Sequence, residues 1–155
     1  MVKIYKINDE VLIDDIINLR KDFMIECGKN DKDYEWSTYN KASKQYFSRG
    51  IEDNSSCIFA AAKDDKIIGY AAMSFYSICP TMRNLSGKAG ILTDMYVEPS
   101  NRRKGISFKM LKEIMNYAES IDVRKVTLNA TELGRYVYEK YGFTDISGEM
   151  CRKLK

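Results

Sequence analysis

Histidine is absent from the 155 residues. That zero removes Ser-His-Asp and Cys-His nucleophilic schemes, histidine general acid–base catalysis and most zinc or non-haem iron sites. Proton transfer then falls to the 22 acidic side chains, the 11 tyrosines, the four cysteines and the lysines. Cys27, Cys57, Cys79 and Cys151 show no C-x-x-C spacing, so neither a zinc site nor a redox motif is indicated, and buried free thiols are expected. No stretch approaches the ~18 consecutive apolar residues of a membrane span. The start Met1-Val2-Lys3-Ile4-Tyr5 lacks a signal-peptide core, so the expectation is a cytoplasmic protein with no membrane partner. Strong charge of one sign is lacking too: 25 basic against 22 acidic residues leave +3, too little to argue for nucleic acid.

What is present is an ordinary globular balance, 45% hydrophobic and 30% charged, in a length that suits one domain over 1–155. Alternation at Val2 to Lys6 predicts a short strand. Asn8 or Asp9 is expected to cap a helix carrying Leu12, Ile16, Leu19 and Phe23 at helical spacing up to Gly28. Lys29 to Asp33 reads as a loop, and Ser37 or Thr38 as the cap of a second helix running towards Gly50. Cys57 to Ala62, the turn Lys63-Asp64-Asp65-Lys66 and Ile67 to Tyr76 predict a buried hairpin, and Ala89 to Val97 a third buried strand. A helix from near Gly105 carries Ile106, Met110, Leu111, Ile114, Met115, Ala118 and Ile121 along one stripe. Lys125 to Asn129 predicts a strand, Thr131 to Tyr141 a short helix, and Phe143 onward two final strands, the last alternating from Glu149 to Leu154. The fold class is α+β: a mixed, mostly antiparallel sheet of six to seven strands with about four helices and a β-α-β crossover.

Asp94 to Ser107 places a strand, a basic loop and a helix N-terminus in direct succession. Free N–H groups, the helix dipole and a glycine that lets backbone approach a phosphate make this an anion site, to which Arg102, Arg103 and Lys104 add full charges. A solvated basic turn is the plainer alternative. The G-x-x-x-x-G-K-[ST] pattern of a Walker loop does not occur.

Val97-x-Pro99-x-x-Arg102-Arg103-x-Gly105-Ile106 resembles the V-x-P-x-x-R-R-x-G-I signature of the GNAT superfamily of acyl-CoA N-acyltransferases, within their Q/R-x-x-G-x-G/A pyrophosphate loop. Asn129-Ala130-Thr131-x-x-Gly134-x-x-Tyr138-Glu139-Lys140-Tyr141-Gly142-Phe143 is similar to the family's A-x-x-x-G-x-x-L-Y-E-K-x-G-F segment. Together the motifs cover roughly residues 89 to 145. Ser107 stands where the family has glycine or alanine, and Val137 where leucine is usual.

The resemblance implies a GNAT-like single domain that binds acetyl-CoA as co-substrate and uses no metal. Its pyrophosphate would lie over Arg102, Arg103, Lys104, Gly105, Ile106 and Ser107, and its pantetheine arm along the backbone of Met95, Tyr96 and Val97. A backbone N–H near Val97 would face the thioester oxygen. Tyr138 matches the tyrosine that protonates the departing thiolate, a role suited to a phenol that is protonated at pH 7. Asn129 and Thr131 would bond the arm, although Thr131 also suits a helix cap. Several family members carry a carboxylate on the strand that lines the acyl site, which makes Asp94 the first candidate to deprotonate the amine and Glu98 the second, and strict alternation puts Asp94 on the face opposite Met95 and Val97 unless a bulge re-aims it. Tyr34, Glu35, Trp36 and Tyr39 fall where the acceptor pocket is expected.

The leading expectation is therefore an N-acetyltransferase acting by direct attack in a ternary complex. The acceptor would be a small amine or a peptide amine, with no nucleic acid involved, and a homodimer is an expected assembly. A non-catalytic acyl-CoA-binding or regulatory module is the alternative. A nucleic-acid-binding domain tracking phosphates with Arg102, Arg103, Lys104, Lys109 and Lys112 is a third.

Overall fold

A computed structural model describes residues 1–28 and 35–154. The loop expected at Lys29 to Asp33, and Tyr34 with it, lies outside the described residues. The element order is β1 (Lys3–Lys6), α1 (Ile13–Glu26), α2 (Trp36–Asp53), β2 (Ser56–Lys63), β3 (Lys66–Ser77), β4 (Lys88–Val97), a 3-10 turn at Pro99–Asn101, α3 (Ile106–Ser120), β5 (Lys125–Leu128) and α4 (Arg135–Tyr141). The strands form one sheet in sequential order. The first three pairings are antiparallel and β4 to β5 is parallel, because α3 must carry the chain back across the sheet before β5 can pair.

The run Cys57 to Ala62 is apolar without alternation because both faces of β2 are covered. Ile58 and Ala60 face α1 and α2 in a cluster with Ile13, Ile16, Leu19, Phe47, Tyr70 and Tyr96. Cys57, Phe59 and Ala61 face α3, meeting Ile106, Met110, Leu111, Ile114 and Ala118. Each helix thus buries the stripe its spacing predicts. The β2–β3 hairpin closes through Asp64 and Asp65, both at positive φ, the conformation a two-residue turn between twisted strands demands. Helix starts differ in detail from expectation. Asp9 accepts the Val11 N–H in the turn ahead of α1. Glu35 stands at the N-terminus of α2 and its carboxylate accepts the Ser37 and Thr38 hydroxyls.

Five strands form among the described residues, not six or seven. From Phe143 to Leu154 no ladder is made, and Met150 and Leu154 are exposed. Alternation there has no buried face to serve: the segment offers few apolar side chains, and nothing fixes their register. The cysteines also depart from expectation. Cys57 is buried and its thiol is pushed up to about 12 by burial, whereas Cys79 and Cys151 are exposed. Among the described residues no helix is long and apolar enough to cross a membrane.

Candidate active site

β4 pairs with β3 over its whole length but with β5 only from Ala89 to Leu92. Beyond Leu92 one edge of β4 is left open, and a cleft of about 520 Å³ occupies the splay. The Glu98 N–H donates to Ile68 on β3, and the Tyr96 carbonyl lies against Gly69 of β3. Strand alternation therefore turns the backbone groups of Met95 and Val97 to the open edge. Of the three residues expected to pair with an extended ligand arm, those two present backbone and Tyr96 presents its side chain.

Ser100 and Asn101 lead from the strand into the basic loop. Arg103 and Gly105 both adopt positive φ, at 60° and 74°, and the two left-handed residues fold the loop into a concave nest of N–H groups ahead of the 15-residue α3. No atom lies within 4 Å of a side chain placed on Gly105, so its backbone conformation, not crowding, calls for glycine. Arg102, Arg103, Gly105, Ile106 and Ser107 line the cleft. Lys104 does not: its ammonium turns back to the Ser100 carbonyl at 2.9 Å. Asn129 and Thr131 line the opposite wall. The Thr131 hydroxyl also accepts the Gly134 N–H at 3.1 Å, so it caps the turn into α4 while facing the cleft.

Tyr138 stands on that wall, with Gly134 beneath it: a Cβ there would come within 3.2 Å of the ring. Burial pushes its hydroxyl up to about 12, and the negative charge of Asp94 adds to the shift. The phenol is thus held protonated close to a carboxylate. Asp94 also lines the cleft. Thr93 is an extra residue in β4, since Asp94 pairs with Ala72 while Leu92 pairs with Met73. Its hydroxyl donates to the Ala72 carbonyl at 3.1 Å. The bulge resets the phase of the strand: Leu92 faces α3, while Asp94 lies on the α1 and α2 side with Tyr96.

There Asp94 meets groups that no motif foretold. Its Oδ2 accepts from Arg20 Nε at 2.7 Å and from the Tyr70 hydroxyl at 3.2 Å. Arg20 Nη1 donates to the Tyr39 hydroxyl and, at 2.8 Å, to Ser43 Oγ. Burial is the strongest influence on Arg20 and opposes its charge, but Asp94 together with Tyr39 and Tyr70 holds the guanidinium above its ordinary value. Burial and the Asp94 charge hold the Tyr70 hydroxyl well above its usual range. Arg20, Ser43 and Tyr70 are far from Asp94 in sequence and carry no local signature, so only the fold could reveal them.

Glu98 is absent from the cleft lining and pairs with Lys66 at 2.8 Å. From α1, Phe23 and Glu26 line the cleft; Glu35, Trp36 and Tyr39 do not. Trp36 instead meets Tyr39 edge-on at 5.5 Å, with the Lys21 ammonium 5.5 Å from its ring. Glu26 reaches across to Arg102 at 2.6 Å, while Arg102 Nε donates to the Val97 carbonyl and its guanidinium covers the Tyr96 ring.

The family model of the acetyltransferase (GNAT) domain matches residues 27–153. A predicted acetyltransferase from Clostridium acetobutylicum, solved with acetyl-CoA, is 32% identical over 99% of this chain and 97% of its own, with a TM-score of 0.89. A GCN5-related N-acetyltransferase from Ralstonia eutropha superposes with a TM-score of 0.85 at 15% identity, covering 99% of both chains. The aminoglycoside N-acetyltransferase AAC(6')-Iy, solved with CoA, gives 0.77 at 15% identity over 100% of this chain and 95% of its own. These last two share the fold. A search of curated proteins finds no match. With a strand splayed beside a basic loop that ends in Gly105, and a family match that spans most of its length, the chain belongs to the GNAT acetyltransferases.

Proposed function

We propose that the protein transfers an acetyl group from acetyl-CoA to a primary amine by direct attack in a ternary complex. The observation that carries this reading is the open edge of β4, which ends in the phosphate-binding nest and has Asp94 and Tyr138 at the same cleft. The residues suit the co-substrate: the basic nest matches a pyrophosphate, and the Met95 backbone and Val97 N–H at the open strand edge match an extended amide-containing arm. The Clostridium relative solved with acetyl-CoA supports the same choice. Acetyl-CoA supplies a thioester activated towards amines.

Asp94 accepts a proton from the incoming ammonium, leaving a neutral nitrogen whose lone pair forms the new C–N bond. The Val97 N–H donates to the thioester oxygen as negative charge develops there. Tyr138 donates its proton to sulfur as the C–S bond breaks, and the proton lost from the acylated nitrogen restores the phenol through solvent. The products are an amide, free CoA thiol and one released proton. No side chain is acylated, which agrees with a chain that has no histidine to activate a nucleophile and whose buried Cys57 is held as a thiol.

Primary amines of four kinds, amino acids, polyamines, aminoglycosides and short peptides, incubated with acetyl-CoA and assayed for free thiol, test the proposal. Amine-dependent thiol release is expected with at least one. Stabilisation by acetyl-CoA with no release from any amine would favour the binding-module alternative.

A further inference from the structure

Asp94 is held in a way that neutralising a charge does not require. Both hydrogen bonds it accepts go to one oxygen, Oδ2. The buried, unpartnered side-chain polar atoms among the described residues are Asn40 Oδ1 and Ser56 Oγ, so Asp94 Oδ1, which also accepts no hydrogen bond, is not sealed in. Since Asp94 lines the cleft and its side chain is only 3% exposed, that oxygen opens into the cleft. On the other side, the guanidinium is fixed at a second point. Nη1 holds Tyr39 and Ser43 of α2, and the Phe47 ring lies 5.8 Å away. A planar fork tied at both ends transmits direction as well as charge, which a lysine ammonium at the same place would not.

We infer that Arg20 is a positioning residue for acetyl transfer: by gripping Oδ2 from a guanidinium anchored on α2, it aims Oδ1 of Asp94 at the amine. The inference rests on the reading of Asp94 as the base. It ties the two front helices to the acyl-transfer strand through one side chain. Arg20 lies ahead of residues 27–153, where the family model matches, and its partner Asp94 is 74 residues away.

The test is a cycle of Arg20→Lys, Asp94→Asn and the double variant, with steady-state kinetics on acetyl-CoA and the best acceptor of the amine panel. Lysine keeps the charge but not the fork. Arg20→Lys is expected to lower kcat by ~10 to 100-fold, the scale of a misplaced catalytic group, with KM for acetyl-CoA within about twofold of wild type. Asp94→Asn lowers kcat at least as far, and the double variant is no worse than Asp94→Asn alone. Full kcat in Arg20→Lys beside a crippled Asp94→Asn would reduce Arg20 to a stabilising counter-ion. Losses that multiply in the double variant would show Arg20 acting independently of Asp94, and also overturn the inference. Full kcat in Asp94→Asn would overturn the base reading itself and the inference with it. If Arg20→Lys fails to fold by circular dichroism, Ser43→Ala and Tyr39→Phe replace it. Each removes one hydroxyl from the grip and should lower kcat by ~3-fold in the wild type and not in Asp94→Asn; unchanged kcat in both would overturn the proposal.

Discussion

The two walls of the cleft are built by opposite means. The wall proposed for the cofactor is local: strand, loop and helix N-terminus follow one another from Asp94 to Ser107, and it offers backbone N–H groups and a left-handed glycine. The side proposed for the acceptor is assembled at long range, from side chains of α1 and α2 gathered onto one carboxylate. Backbone-built sites are fixed by conformation and tolerate exchange of side chains that point away. A side-chain cluster depends on each member, since a buried charge left alone is costly.

Three variants sharpen this contrast. The largest effect is expected at Tyr138, which stands on α4 outside both. Tyr138→Phe should lower turnover by ~100-fold while calorimetric affinity for CoA stays nearly unchanged, as loss of a transition-state proton donor requires. With its pKa raised to about 12, Tyr138 remains protonated through pH 10, so turnover should not fall as pH passes the ordinary tyrosine value; a fall there that Tyr138→Phe abolishes would contradict this. Gly105→Val tests the backbone-built wall. A β-branched residue at φ 74° costs ~1 to 2 kcal/mol, and CoA affinity should weaken by about tenfold. Wild-type affinity by calorimetry would refute the nest as the pyrophosphate site.

The smallest effect is expected at Glu26, whose ion pair with Arg102 joins α1 to the basic loop. Arg102 stays placed by the Val97 carbonyl at 2.8 Å, so Glu26→Gln removes a competing anion without losing the arginine's position. CoA affinity should rise about two- to threefold at low salt, and the gain should fade at high salt, since the pair is partly exposed. A loss of affinity would mean that Glu26 helps to orient Arg102.

Legibility followed the same division. The hairpin, the third buried strand and the α3 stripe were readable because period and turn chemistry are local. So was the loop whose glycine the backbone demands. The β4 bulge was not, since a single inserted residue at Thr93 leaves no mark in an apolar run. The last two expected strands did not form, because alternation from Glu149 to Leu154 states a preference that only a buried neighbour can realise. Of the expected acceptor residues, Trp36 and Tyr39 lie on α2 but not in the cleft, where Phe23 and Glu26 of α1 stand instead.

By itself the sequence determined the absence of histidine, and with it the exclusion of histidine chemistry, together with the basic Gly105 loop and the order of most elements. Tertiary structure alone decided which carboxylate faces the cleft and what holds it. Asp94 and Glu98 are equivalent as letters four positions apart. Only the burial of one beneath α1 and α2, and the reach of Arg20 across 74 residues, separate them. That separation is a matter of distance and solvent, which chain order does not encode.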